Sequence, residues 1–160
     1  MIYKYITFSI SIVFISFIVG MITTAIIKNS NLYSEKLSSL NFIKSDWVNK
    51  LFGVELVKWV VKNTVFRYLN PSLKCDRKMN IADLQRIRKE MTKAEIDHLF
   101  AFVFVLIFVF IQLINQKYLG AGIMLVVNIL MNLNPSLLQQ QNKRRIDKLI
   151  KRFNLIDQSS

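Results

Sequence analysis

Three long runs without a single charged residue constrain this chain more than any other feature. Ile6 to Ile27 offers 22 uncharged residues, Leu99 to Asn115 offers 17, and Tyr118 to Leu138 offers 21. At 1.5 Å rise per residue these lengths match the hydrocarbon core of a bilayer, about 30 Å thick. Inside lipid every backbone polar group must bond within the protein, so such runs are helices unless they close a barrel. The expected fold is therefore an all-α integral membrane protein with about three transmembrane helices. Only Gln116 and Lys117 separate the second and third runs, which makes them an antiparallel hairpin. The first run is read as a retained span and not a signal peptide, because its apolar part far exceeds the usual 7–15 residues.

Charge is segregated as sharply as hydrophobicity. The chain carries 22 Lys and Arg against 10 Asp and Glu. Residues 28–97 hold 14 of the cations and the segment after Leu138 holds six, leaving Lys4 and Lys117 at the other ends of the spans. Short basic segments are retained in the cytoplasm, so residues 28–97 and 139–160 are predicted to be cytoplasmic, in a multi-pass protein of the cell membrane. The predicted organisation is an N-terminal span (1–27), a cytoplasmic or interfacial helical segment (28–97), a membrane hairpin (98–138) and a basic cytoplasmic tail (139–160). Orientation accounts for the basic charge better than nucleic acid does, and no nucleic-acid partner is expected.

Between the first two spans the pattern is helical. Ser45 and Asp46 make a helix start, followed by a broad apolar face from Trp47 to Val61 that is punctuated by Lys50 and Lys58. Basic residues with tryptophans suit the headgroup layer; packing of this helix against the bundle is the alternative. Asn70-Pro71-Ser72 ends the pattern. Asn80 and Asp83 then cap a helix whose apolar positions Leu84, Ile87, Met91, Ala94 and His98 fall on one face,, and which leads towards the second span.

Polar residues at the edges of spans are costly and mark function. Glu95, Asp97 and His98 stand at the entrance of the second span, and Asn128, Asn132, Asn134 and Gln139 to Asn142 at the end of the third. Hairpin symmetry about Gln116 puts His98 and Asn132 to Gln139 at similar depth. His98 is the only histidine and the natural general base near neutral pH, with Glu95 at i−3 on the same face. Glu95 has two readings, a partner of His98 or the closing residue of a Thr92–Glu95 capping box. The amide and cation string Gln139 to Arg145 suits phosphate or an anionic headgroup. One cysteine, Cys75, and one histidine give no motif for a metal site, and none is expected. Nucleophile-elbow, P-loop and dinucleotide fingerprints are absent, and so is the HxxxxD acyltransferase motif,.

Over roughly residues 35–150 the chain resembles the glycosyl-4,4'-diaponeurosporenoate acyltransferase family. The resemblance rests on Trp47-Val-Asn-Lys with Lys58-Trp59, on Lys93-Ala-Glu95-Ile-Asp-His98, and on Asn132-Leu-Asn-Pro135 followed by Gln139-x-x-Asn142-x-x-Arg145. Against the family string Gln-Arg-Tyr-Asn-Arg-Pro-Arg, Gln140, Gln141, Lys143 and Arg144 depart, and one residue is added between Asn132 and Pro135. The resemblance implies transfer of a fatty acyl group to a hydroxyl of a lipid-linked acceptor, a carotenoid glycoside in the family. The implied donor is an acyl thioester, acyl-CoA or acyl carrier protein, with no bound cofactor. His98 would act as base, Glu95 would support it, and Asn132, Gln139, Asn142, Arg145, Lys58 and Trp59 would bind substrate. The alternative is a non-catalytic membrane partner or scaffold binding another enzyme or anionic lipid. Membrane lipids are the expected partners, together with a further membrane protein or a second copy.

Overall fold

The computed structural model describes residues 2–40, 47, 53–64 and 80–157, and among these every regular element is helical. Helix α1 spans Ile2–Ile27, α2 Val54–Asn63, α3 Ile81–Ile114, α4 Tyr118–Asn128 and α5 Asn134–Asp157. Three stretches are long and apolar enough to cross a membrane, Ile2–Ile27, Ile81–Ile114 and Tyr118–Leu155. The protein is an all-α membrane protein.

Helix α3 begins at the predicted cap. The Asn80 side chain accepts from the Asp83 amide at 2.8 Å, and the Asp83 carboxylate accepts from the Asn80 amide. From there 34 residues run without interruption through the charged segment into the second span. Thr92 and Glu95 therefore lie in mid-helix, where Thr92 Oγ1 donates back to the Arg88 carbonyl at 2.9 Å. The capping-box reading of Glu95 does not hold, because no helix starts there.

The hairpin closes at Asn115–Lys117, with Gln116 in the left-handed region at φ 57°. Beyond α4 the backbone widens into a π turn, Ile129–Leu133, before α5 resumes. Pro135 has no amide hydrogen for the carbonyl four residues back and its ring crowds that turn, and the wider i→i+5 spacing absorbs an extra residue there. The predicted tail is no appendage, since α5 carries the third span onward as helix to Asp157.

Helix α1 packs through a stripe of small residues. Ser9, Ser16, Gly20 and Thr24 are buried, and the last three recur at every fourth position. In lipid, where apolar contact itself gives no advantage over lipid tails, small side chains that let backbones approach are what draws helices together. Gly20 sits where α1 crosses α3, and a β-carbon there would collide with the Asp97 carbonyl. The count of only four glycines hid this face, because serine and threonine share the glycine role. Below the crossing, Ile12, Val13, Val105, Val109, Ala121 and Met124 form the core between α1, α3 and α4. Gly20→Ala is expected to force α1 off α3 and lower the melting temperature in detergent, whereas Gly122→Ala, which meets nothing within 4 Å, should leave it unchanged.

Helix α2 starts after Gly53, whose φ of 79° is left-handed and cannot continue a helix, so Trp47 to Val61 is not one element. The expected start at Ser45 and Asp46 lies outside the described residues, as do Asn70-Pro71-Ser72 and Cys75. Val54 and Val57 pack against Leu137 and Leu138 of α5. Helix α2 therefore lies against the bundle, while Leu56 and Trp59 remain exposed.

Candidate functional site

Where α1 crosses α3, the bundle forms a half-open cavity of about 840 Å³. That is in the range of pockets that bury small organic ligands. Five elements build it. Phe14, Phe17 and Met21 come from α1, Leu56, Val57, Val60 and Val61 from α2, and Leu130 and Met131 from the π turn. Helix α3 contributes Glu90, Met91, Ala94, Asp97 and His98, and α5 contributes Pro135, Leu138 and Gln139. The walls are almost wholly apolar, and the few polar groups are confined to α3 and the start of α5.

His98 stands edge-on to Phe17, ring centroids 5.5 Å apart and planes at 89°, with the Asn132 amide beside it. Asn132 is fully buried and donates to Ser16 Oγ at 3.2 Å and to Asn128 Oδ1 at 2.8 Å, while Asn128 donates to the Phe102 carbonyl at 3.1 Å. These bonds tie α1, α3 and α4 together at the level of the imidazole. His98 Nδ1 is buried without a hydrogen-bond partner. It is not alone. Asp97 Oδ1, Asn132 Oδ1, both polar atoms of Asn134, Ser136 Oγ and the carbonyl oxygens of Gln139, Gln140 and Gln141 are likewise buried and unpaired. Nine of the ten such atoms among the described residues thus fall in residues 97–98 and 132–141. Buried polar atoms are paired in all but a few cases, and each exception costs about 1–3 kcal/mol. Their concentration on two facing segments marks a place built to meet polar groups that the chain does not itself provide.

Glu95 has other partners than His98. Its fully buried carboxylate accepts from Gln140 Nε2 at 2.9 Å and from Lys143 Nζ at 2.6 Å. Lys143, itself buried, also donates to the Ser38 carbonyl at 3.2 Å, which brings the segment after α1 onto the pair. Burial first, and then the nearby carboxylates of Asp97 and Glu95, push the Tyr33 phenol above its usual value. Lys93 pairs with Asp97 at 2.7 Å. Gln140 and Lys143 are two of the positions that depart from the family string, and both still present hydrogen-bond donors to Glu95.

The remaining candidates are scattered. Gln139 lines the cavity. Lys58 is paired at 3.5 Å with Glu55, Trp59 is 64% exposed, and neither lines the cavity although they lie on the helix that walls it. Arg145 is exposed on α5 and Asn142 half-buried. Sequence reasoning missed Phe14, Phe17, Met21 and Ser16, because a transmembrane run gives no sign of which face it turns to a site. The stripe of small residues on α1 was the available signal. Among the described residues no cluster of three metal-ligating side chains occurs.

No curated protein and no solved structure matches the chain. A family comparison does match, over residues 29–152, which include all but the first residue of the charged segment, the hairpin and most of α5. That span contains His98 and every buried unpaired atom around it. The chain belongs to the glycosyl-4,4'-diaponeurosporenoate acyltransferase family, a family of acyltransferases in carotenoid glycolipid biosynthesis.

Proposed function

We propose that the protein transfers a fatty acyl group from a thioester donor to a hydroxyl of a lipid-linked acceptor, at the cytoplasmic boundary of the cell membrane, with His98 as general base. The observation that carries this reading is the apolar 840 Å³ cavity lined by the sole histidine, whose Nδ1 is buried and unpaired, as are the Asp97 Oδ1 and Gln139 Oε1 atoms of the same cavity's lining residues. An acyl chain fills the apolar volume, and hydroxyl-bearing headgroups satisfy the unpaired acceptors.

In this reading His98 takes the proton of the acceptor hydroxyl as its oxygen attacks the thioester carbonyl. The C–S bond then breaks, and the departing thiolate takes the proton back from the imidazolium, leaving an ester and a free thiol. Asn132 holds the imidazole and Gln139 contacts the acceptor. Asn142, Arg145 and Lys58 lie towards the basic end, where they meet the phosphates of the acyl carrier; Trp59 anchors α2 in the interface. Glu95 acts through its ion pair, fixing α5 against α3. The basic segments support a cytoplasmic position for this end and for the C-terminus. The part that Phe14, Phe17 and Met21 take in the cavity wall supports a working protein that keeps its first helix.

Lipid mass spectrometry of cells with and without the protein tests the reading. A lipid heavier by one acyl chain is expected only where the protein is present. Identical lipid profiles, with another membrane enzyme always co-purifying, would favour the non-catalytic partner instead.

A further inference from the structure

The end of the bundle opposite His98 carries a second cavity, of about 380 Å³, lined by Lys4, Tyr5, Phe8, Phe108, Ile111, Gln112, Asn115 and Lys117. Its two lysines are the only cations outside residues 28–97 and 143–152. All ten carboxylates of the chain lie in residues 35–97 and 147–157, so residues 1–34 and 98–146, which build this end, contain none. Two like charges from helices far apart in sequence are thus brought to one cavity with no counter-charge on the segments that form it. An anion from outside would be attracted to both of them. Polar groups complete the rim. Gln112 is buried, and its amide nitrogen has only the Met124 sulfur, at 3.6 Å, as acceptor, a weak one. Gly120 leaves the room for the Gln112 carbonyl and the Tyr5 ring that any β-carbon would take.

The remaining wall points to the kind of anion. Phe8 and Ile111 are 47% exposed on the lipid-facing side, so an apolar surface leads from the two lysines along the spans. A free phosphate has no use for that surface, whereas a phospholipid has chains to lay on it. We propose that this cavity binds an anionic phospholipid, its phosphate between the Lys4 and Lys117 ammonium groups and an acyl chain along Phe8, Phe108 and Ile111. The site is independent of the acyltransferase reading, since it shares no residue with the His98 cavity.

A photo-cross-linking amino acid installed at Ile111 tests it in full-length protein reconstituted into phosphatidylcholine vesicles with phosphatidylglycerol as the minority lipid. Phosphatidylglycerol is expected among the cross-linked lipids at about five times its bulk share, the size of a single lysine contact with anionic lipid. Lys4→Gln with Lys117→Gln should return it to the bulk share, while Lys4→Arg with Lys117→Arg should keep the enrichment and show that the charge is what matters. Bulk proportions in the unmodified protein, or enrichment that survives the glutamine pair, would overturn the proposal. The other arm uses inorganic phosphate with pure phosphatidylcholine vesicles. A lysine-dependent rise in melting temperature there, without phosphatidylglycerol enrichment, would make the site one for free anions and the lipid assignment wrong.

Discussion

Replacing His98 by alanine is expected to lower the rate of acyl transfer by a factor of about 10²–10⁴, the usual contribution of a positioned general base, while leaving a folded protein. The two halves of that expectation have separate physical grounds. His98 lines the cavity, and its Nδ1 bonds to no protein group, so truncation strands no buried partner across a hydrogen bond at that atom. The loss to the fold is the edge contact with Phe17, about 0.5–1.5 kcal/mol, together with the contact to the Asn132 amide. His98→Gln keeps polar contact near Asn132 but cannot take a proton at neutral pH, and should be as inactive as the alanine variant. Assays should show the fall in kcat with KM little changed, because a base acts in the transition state and not on binding. Turnover within a few-fold of the parent protein in either variant would remove His98 from the chemistry.

The second large effect is structural. Lys143→Met is expected to destabilise the protein by about 3–5 kcal/mol, the cost of leaving one member of a buried ion pair without its partner. Glu95 is completely buried and Lys143 nearly so, and only Gln140 would remain to donate to the carboxylate. The double variant Glu95→Gln with Lys143→Met removes both charges together, and should recover most of the loss, since uncharged replacements of a buried pair are often neutral. Thermal melting of the three proteins in one detergent reads this directly. Equal destabilisation by the single and double changes would mean that the pair contributes packing and not charge. The exposed pair Arg88–Asp147 is the contrast: Asp147→Asn should cost about 1 kcal/mol or less.

These two expectations divide the polar end of the hairpin into a reacting part and a supporting part. His98 and Gln139 face the cavity, while Glu95, Gln140 and Lys143 clamp α3 to α5 and draw in Ser38. Positions 140 and 143, where the chain departs from its family, belong to the clamp. Gln140 and Lys143 both donate to Glu95, and neither lines the cavity.

Much of this was legible in the sequence, for reasons of length and period. Uncharged runs of 17 to 22 residues have no option in lipid but to be helices, and a two-residue connection makes two of them a hairpin. Hairpin symmetry then put His98 near Asn132, as found. The cap at Asn80 and Asp83 was readable because its bonds are local.

Contacts between distant elements were decided by the tertiary structure alone. Glu95 lies one turn before His98 and looks like its partner, but an ion pair with Lys143, 48 residues on, claims it, because a buried carboxylate takes the nearest cation that the fold delivers. Helix α2 has the composition of an interfacial helix, yet Val54 and Val57 find Leu137 and Leu138 and turn its inner face into a cavity wall. The first run revealed its span but not its role. Length and hydropathy determine that a helix enters the membrane; which face it turns inward depends on where small residues let another backbone come close, and that closeness at Gly20 is what carries Phe14, Phe17 and Met21 to His98.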